Sequence, residues 1–201
     1  MKIETLQVGA YEVNSSILVF DGKAWIVDPG AEAARIDEVM LKMSLEPAGI
    51  LLTHAHFDHI GAIPELQRLH PGLPVYIGAK DVAAIGHPMN QFPPEYPPIP
   101  RPDNLFSEPG QFPLPPAMET IDTPGHTPGG VCYYFPEEKL LLSGDTLFAG
   151  SVGRTDFPGG DMVALMDSIG KLKRLPDDTV VIPGHGPTTT IGAEKTSNPF
   201  F

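Results

Sequence analysis

The sequence predicts an α/β fold, a sandwich of two β-sheets with helices on the outer faces. Three observations predict it. Short apolar segments of strand length alternate with longer segments of helical periodicity. That order recurs in both halves of the chain, so each half supplies a sheet and helices to cover it. Residues 48–53 form a continuous apolar run, the pattern of a strand buried on both faces. The expected organisation is a single domain over residues 1–201, with a proline-rich loop at about 87–116.

In chain order, residues 13–20 and 24–28 are rich in β-branched and apolar side chains. Asp21-Gly22 between them is a hairpin signal. Asp28-Pro29-Gly30 breaks the second strand. Residues 31–43 follow with helical spacing, with Ile36, Val39, Met40 and Met43 on one face. After the strand at 48–53, residues 62–69 read as a helix with Pro64 tolerated in its first turn. A strand at 75–77 and a short helix at 80–85 come next. Residues 87–116 hold eleven of the 24 prolines, including Pro93-Pro94, Pro97-Pro98 and Pro115-Pro116, so regular structure is not expected there. Phe92, Tyr96, Ile99, Leu105 and Phe106 favour an ordered loop packed on the body over a disordered linker. A loop of that length commonly walls or covers a site. In the second half, 118–122, 131–135 and 139–143 read as strands and 179–182 as a last strand. Residues 161–175 form an amphipathic helix with Val163, Leu165, Met166, Ile169 and Leu172 mostly on one side. Cys132 falls within a strand and reads as a packing residue. There is no short-period repeat.

The composition excludes several classes. Of 201 residues, 41% are hydrophobic and 19% charged, which fits a globular chain and not a disordered one. A formal net charge of -12 argues against non-specific binding to nucleic acid or to an anionic membrane. It does not constrain a small substrate, because bound cations would invert the local field. The single cysteine rules out an intramolecular disulfide and fits a reducing, cytoplasmic setting. The opening Met1-Lys2-Ile3-Glu4-Thr5 lacks the pattern of a signal peptide. No apolar run approaches the ~20 residues of a membrane helix. Oligomeric state is left open.

Five of the seven histidines fall in three short stretches: Thr53-His54-Ala55-His56-Phe57-Asp58-His59, Pro124-Gly125-His126 and Pro183-Gly184-His185-Gly186. Asp145, in Ser143-Gly144-Asp145, has the same setting. Each stretch follows a short apolar strand, and loops at strand ends on one sheet edge are where α/β proteins carry function. In extended chain, residues two apart point the same way, so His54 and His56 can grip one ion. Asp58 and His59 come at the turn into the next helix and face a second point nearby. Imidazole and carboxylate donors suit zinc, iron and manganese, and the absence of thiolate ligands argues against a closed structural zinc site. Seven protein ligands exceed the needs of one tetrahedral ion and suit two, with one carboxylate shared. Two divalent ions bring +4, while Asp58, Asp145 and a hydroxide bring -3. The remaining charge can be offset by a substrate oxygen becoming negative in the transition state. Lone histidines are usually ordinary, and His70 and His87 are read that way. A buried cluster of this density would be strongly destabilising without metal.

On these residues the chain resembles the metallo-β-lactamase superfamily over nearly its whole length. Thr53–His59 is similar to that family's His-x-His-x-Asp-His signature, and Asp28-Pro29-Gly30 to its first motif, whose aspartate supports the metal loops. The resemblance implies the family's αββα sandwich. It implies that His54, His56 and His126 hold one divalent ion and Asp58, His59 and His185 a second, with Asp145 bridging. Zinc is the expected metal. Best-known β-lactamases carry Cys where Asp145 stands, so Asp points to the wider hydrolase family.

Within the family, Gly144-Asp145-Thr146-Leu147-Phe148-Ala149-Gly150 resembles glyoxalase II, the hydroxyacylglutathione hydrolase. Arg154 falls where that enzyme places a lysine that meets the glutathione carboxylate, and Arg can pair with a carboxylate in bidentate fashion. An ordinary surface ion pair is the other reading of Arg154. Asp156 stands near a tyrosine contact of glyoxalase II. Glyoxalase II continues into a C-terminal helical domain, whereas this sequence ends at Asn198-Pro199-Phe200-Phe201 soon after the last ligand, so the expected match is to small single-domain glyoxalase II-like hydrolases. The implied reaction is hydrolysis of a small-molecule thioester by a metal-bridging hydroxide, with Asp58 as the catalytic group that orients it. The Gly153-Arg154-Thr155-Asp156-Phe157 stretch also resembles persulfide dioxygenases, where His54, His126 and Asp145 alone would bind one Fe(II). A metal-binding protein without catalysis is the third reading.

Overall fold

The computed structural model describes residues 1–87, 99–102, 104–108, 111–112 and 114–201. The chain divides into two compact units, Met1–Pro116 and Ala117–Phe201.

The first unit is built on a six-stranded sheet: β1 (Lys2–Val8), β2 (Val13–Phe20), β3 (Lys23–Val27), β4 (Glu46–Leu51), β5 (Val75–Tyr76) and β6 (Leu105–Phe106), in that spatial order. β1, β2 and β3 are an antiparallel meander, and β3 through β6 run parallel. The turn at Asp21-Gly22 has positive φ at both residues (48° and 78°), the two-residue loop that matches strand twist. Parallel pairing of β3 with β4 requires a crossover, supplied by α1 (Ala33–Lys42). α2 (Phe57–Ile60) and α3 (Ile63–Leu69) make the next crossover, with Pro64 in the first turn of α3. Ile36 and Met40 of α1 and Ile63 and Leu66 of α3 bury against Ile17, Ile26 and Ile50 of the sheet. Fully burying each such side chain contributes about 1.5–3 kcal/mol.

Two expectations change here. The short helix expected at 80–85 is a 3-10 turn at Ala79–Asp81. The proline-rich 87–116 stretch contains β6, a strand where none was expected, because a two-residue pairing beside β5 needs little sequence. Ile99 and Leu105 do pack on the core as expected. Phe106 stacks near Phe112, with ring centroids 6.1 Å apart. Phe92 and Tyr96 lie outside the described residues.

The second unit has a five-stranded sheet of β7 (Glu119–Asp122), β8 (Val131–Phe135), β9 (Leu140–Gly144), β12 (Val180–Pro183) and β13 (Thr189–Thr190), ordered β13-β12-β9-β8-β7. A separate hairpin joins β10 (Leu147–Phe148) to β11 (Ser151–Val152). α4 (Met162–Leu172) is the crossover between parallel β9 and β12, and α5 (Ile191–Ser197) follows β13. Asp161 caps α4, its carboxylate accepting the amides of Val163 (2.8 Å) and Ala164 (3.1 Å). Cys132 is a packing residue, buried among Leu141, Ile169, Leu172, Val181 and Ile191. The face of α4 differs from expectation. Leu165, Ser168, Ile169 and Leu172 are buried at the i, i+3, i+4, i+7 spacing, whereas Val163 and Met166 are 74% and 38% exposed. Hydrophobicity alone does not say which of two apolar stripes faces the sheet. Among the described residues, no helix is long and apolar enough to cross a membrane.

The two stripes of α4 separate in a denaturation experiment. Leu165→Ala should cost about 2–5 kcal/mol in urea unfolding. Val163→Ala should stay within about 0.5 kcal/mol of the parent. Equal losses would contradict the observed face.

Candidate metal centre

Four of the sequence-predicted ligands belong to the first unit. β4 ends at Leu51, and the chain turns through Thr53, His54, Ala55 and His56 into α2, which carries Asp58 and His59. The rings of His54 and His56 lie 4.7 Å apart and those of His54 and His59 4.1 Å apart. His54 and His59 are buried. The Nε2 of His59 is 3.9 Å from Oδ2 of Asp58.

Asp28, at the end of β3, organises this loop. It is 2% exposed, and its carboxylate accepts the Thr53 amide (2.8 Å) and the Thr53 hydroxyl (2.6 Å). The same carboxylate lies 3.1 Å from Nδ1 of His59. The Thr53 hydroxyl has one proton and gives it to Asp28. At 3.0 Å from Nδ1 of His54 it must therefore accept. A neutral His54 thus carries its proton on Nδ1 and its lone pair on Nε2, an atom shielded from solvent. This is the anchoring that metal-bound imidazoles require. The approach is close because residue 30 is glycine: a Cβ there would sit 1.6 Å from the carbonyl oxygen of Asp58.

The other three predicted ligands belong to the second unit. His126 sits in the loop after β7, Asp145 just past β9 and His185 just past β12. Oδ2 of Asp145 lies between the two imidazoles, 3.5 Å from Nε2 of His126 and 3.7 Å from Nε2 of His185. The carbonyl of Arg154 is 2.7 Å from Nδ1 of His126. A carbonyl only accepts, so Nδ1 bears the proton and Nε2 the lone pair. The His126 loop is docked on α4. Gly125 has φ +137°, and a Cβ would fall 2.3 Å from the Leu165 nitrogen. Its carbonyl accepts the Asp161 amide (2.8 Å), and Ser168 donates to the Pro124 carbonyl (2.7 Å). Gly184 donates to the Gly144 carbonyl (2.8 Å), tying the strands that carry Asp145 and His185.

Each unit therefore gathers its own share of the predicted ligands at strand ends. The chemistry of the donors fits divalent ions: imidazole nitrogens with carboxylates beside them. Arg154 is engaged locally. Its guanidinium makes two 2.7 Å bonds to Asp156 and lies 3.9 Å over the Phe157 ring. The Arg154 guanidinium holds the Asp156 carboxyl down to about 2 from an ordinary 3.8. His70 bonds Asp37 (2.7 Å), in keeping with an ordinary role. Asp81 was not legible in the sequence. It is 1% exposed and accepts the Ala55 amide (3.2 Å), a second carboxylate holding the ligand loop. Nothing in its local sequence distinguishes it, since its role depends on a partner 26 residues away. A cavity of about 460 Å³ opens beside α2, walled in part by Val8, Tyr11, Ala31, Phe57 and Asp58.

With this geometry in view, the relatives are informative. The model of the family described as the metallo-beta-lactamase superfamily matches residues 8–185. The chain belongs to that superfamily. It is 40% identical to the "Probable metallo-hydrolase YqgX" of Bacillus subtilis (strain 168), over all of this chain and 98% of that one. It is 39% identical to the hydroxyacylglutathione hydrolase GloC of Haemophilus influenzae, again over all of this chain and 98% of that one. Its fold matches the crystal structure of TTHA1623 in a di-iron-bound form, with a TM-score of 0.88 and 37% identity, over 98% of this chain and 100% of that one. The fold is thus the mixed α/β metallo-beta-lactamase fold with two main sheets, as the sequence predicts. Superfamily membership and the His/Asp set imply divalent metal ions, and the di-iron relative leaves zinc as one identity among several.

Two measurements check the anchoring. Thr53→Val removes the acceptor of His54 Nδ1 and should weaken zinc binding about 10- to 100-fold in a chelator competition. Affinity within twofold of the parent would contradict the relay. For the Arg154–Asp156 pair, whatever stability it adds is present above the unfolded carboxyl pKa and fades as pH falls through about 2. An NMR titration should place the Asp156 midpoint near 2, and Arg154→Met should return it towards 3.8.

Proposed function

We propose that the chain is a metal-dependent hydrolase of thioesters, of the glyoxalase II type, acting on hydroxyacyl-glutathione-like substrates. In this reading His54, His56 and His126 hold one divalent ion, Asp58, His59 and His185 a second, and Asp145 is shared. The observation that carries it is the hydrogen-bond anchoring of His54 and His126 through Nδ1, with Asp58 and Asp145 beside the Nε2 atoms of His59 and His126. Likeness to GloC over the full chain supports the thioester as substrate.

When bound, the two cations would supply an activated water at neutral pH and neutralise charge that builds on the carbonyl oxygen. The rest falls to the protein. Asp28, Thr53 and Asp81 fix the ligand loop, so the imidazoles do not reorganise during turnover. Asp58 accepts a hydrogen bond from the attacking water through its carboxylate and aims it at the thioester carbon. A thiol of pKa about 8.5 leaves as thiolate without a strong general acid. The cavity beside α2 has the size of a small-ligand pocket and apolar walls for the acyl group. Arg154 remains a candidate contact for a carrier carboxylate, in competition with Asp156.

Asp58→Ala and Asp145→Ala should each lower kcat for S-lactoylglutathione by about 100-fold or more. Chelation should abolish activity and added zinc, iron or manganese restore it. Near-parental rates in metal-depleted protein would contradict this. So would oxygen consumption with glutathione persulfide at one iron per chain, or turnover of β-lactams without turnover of thioesters.

A further inference from the structure

The hairpin of β10 and β11 lies beside all three ligands predicted in the second unit. It enters two residues after Asp145. Its Phe148 ring lies 6.4 Å from the His185 ring. It leaves into Gly153 and Arg154, whose carbonyl holds Nδ1 of His126 at 2.7 Å. Gly153 is packed so closely that a Cβ would sit 1.9 Å from the Asp145 carbonyl oxygen and 3.2 Å from the His126 Cβ. Its amide donates to the Thr146 carbonyl (3.2 Å), which closes the base of the hairpin. A shift of this hairpin therefore moves Asp145 and the acceptor of His126 together.

Such a short hairpin has little stability of its own. What fixes it is a buried carboxylate on the last helix. Glu194 of α5 is 2% exposed. Its Oε2 accepts the Gly150 amide at the hairpin turn (2.8 Å) and Nδ2 of Asn198 (2.7 Å), and its Oε1 accepts the Thr189 hydroxyl (2.6 Å). Asn198 also donates to the Ser151 carbonyl (3.0 Å), the residue after the turn. A buried carboxylate is tolerated only when its lone pairs are satisfied, and here the satisfying donors belong to the hairpin and to the flanks of α5. Hydrogen bonds to an ionised, buried acceptor are among the stronger ones.

We infer that Glu194 and Asn198 are positioning residues for the metal centre: through Gly150 and Ser151 they lock the hairpin that sets the Nδ1–H tautomer of His126 and the placement of Asp145. The side-chain hydrogen bonds of both residues run to the hairpin and to the flanks of α5. The kinetic part of the test rests on the thioesterase reading, while the tautomer and metal-binding parts do not, so the two can fail separately.

The test compares Glu194→Gln, Glu194→Ala and Asn198→Ala in the full chain. Gln can keep all three contacts, since its oxygen accepts from Gly150 and Asn198 while its amide donates to the Thr189 hydroxyl. Three readouts apply: the imidazole nitrogen NMR shifts of His126 in metal-depleted protein, zinc affinity by chelator competition, and kcat and KM for S-lactoylglutathione. The alanine variants should show mixed His126 tautomers, zinc binding weakened about 10-fold or more, and a fall in kcat with KM within twofold. Glu194→Gln should match the parent in all three. Should Glu194→Ala fail to fold, Asn198→Ala carries the same expectation. A folded alanine variant with the Nδ1–H tautomer and parental zinc affinity would overturn the inference. So would a Glu194→Gln variant as impaired as Glu194→Ala, since charge and not contact would then be the cause.

Discussion

The candidate metal centre depends on one kind of interaction, a hydrogen bond donated by the inner nitrogen of a buried imidazole. A neutral histidine has a donor nitrogen and an acceptor nitrogen, and whichever one is held by the protein decides what the other can do. His54 gives its Nδ1 proton to Thr53, and His126 gives its own to the Arg154 carbonyl. His59 sets its Nδ1 3.1 Å from the Asp28 carboxylate. Two acceptors of different chemistry, a hydroxyl and a carbonyl, produce one result, a neutral imidazole that keeps its lone pair on Nε2. Neutral ligands of this form bind a divalent cation without first losing a proton.

Most of the fold can be seen as what keeps those acceptors in place. Asp28 is at the end of β3, which pairs in parallel with β4, so it stands beside the loop that leaves β4. Gly30 and Gly61 let that loop and α2 approach within backbone contact. In the second unit, parallel β9 and β12 put Asp145 and His185 at neighbouring strand ends, and α4 receives the His126 loop at Gly125. Buried carboxylates recur at the joints: Asp28, Asp81 and Glu194 each accept backbone amides from a ligand loop or from the hairpin beside it. Backbone amides suit this role, because they are donors that substitution does not remove.

The ligands were legible in the sequence because chemistry concentrates there. Four of six positions from His54 to His59 are imidazole or carboxylate, and periodicity places each stretch behind a strand. The central strands and α1, α3 and α4 were legible for the same reason, since apolar spacing is a local signal. What escaped was either short or distant. β1 is an edge strand in which only Val8 is fully buried, so its apolar signal is weak. β6, β10, β11 and β13 are two residues each and exist only through their partners. α4 presents two apolar stripes, and Val163 and Met166 lie on the exposed one. Asp81 and Glu194 act on residues 26 and 44 positions away, a relation that only folding reveals.

The measurement that bears most directly on the central claim is anomalous diffraction at the zinc edge from crystals of the zinc-loaded protein. Two peaks per chain are expected, one contacted by Nε2 of His54 and His126 together with His56, the other by Asp58, His59 and His185, with Asp145 shared. A single peak, or zinc bound through Nδ1 of His54 or His126, would contradict that claim.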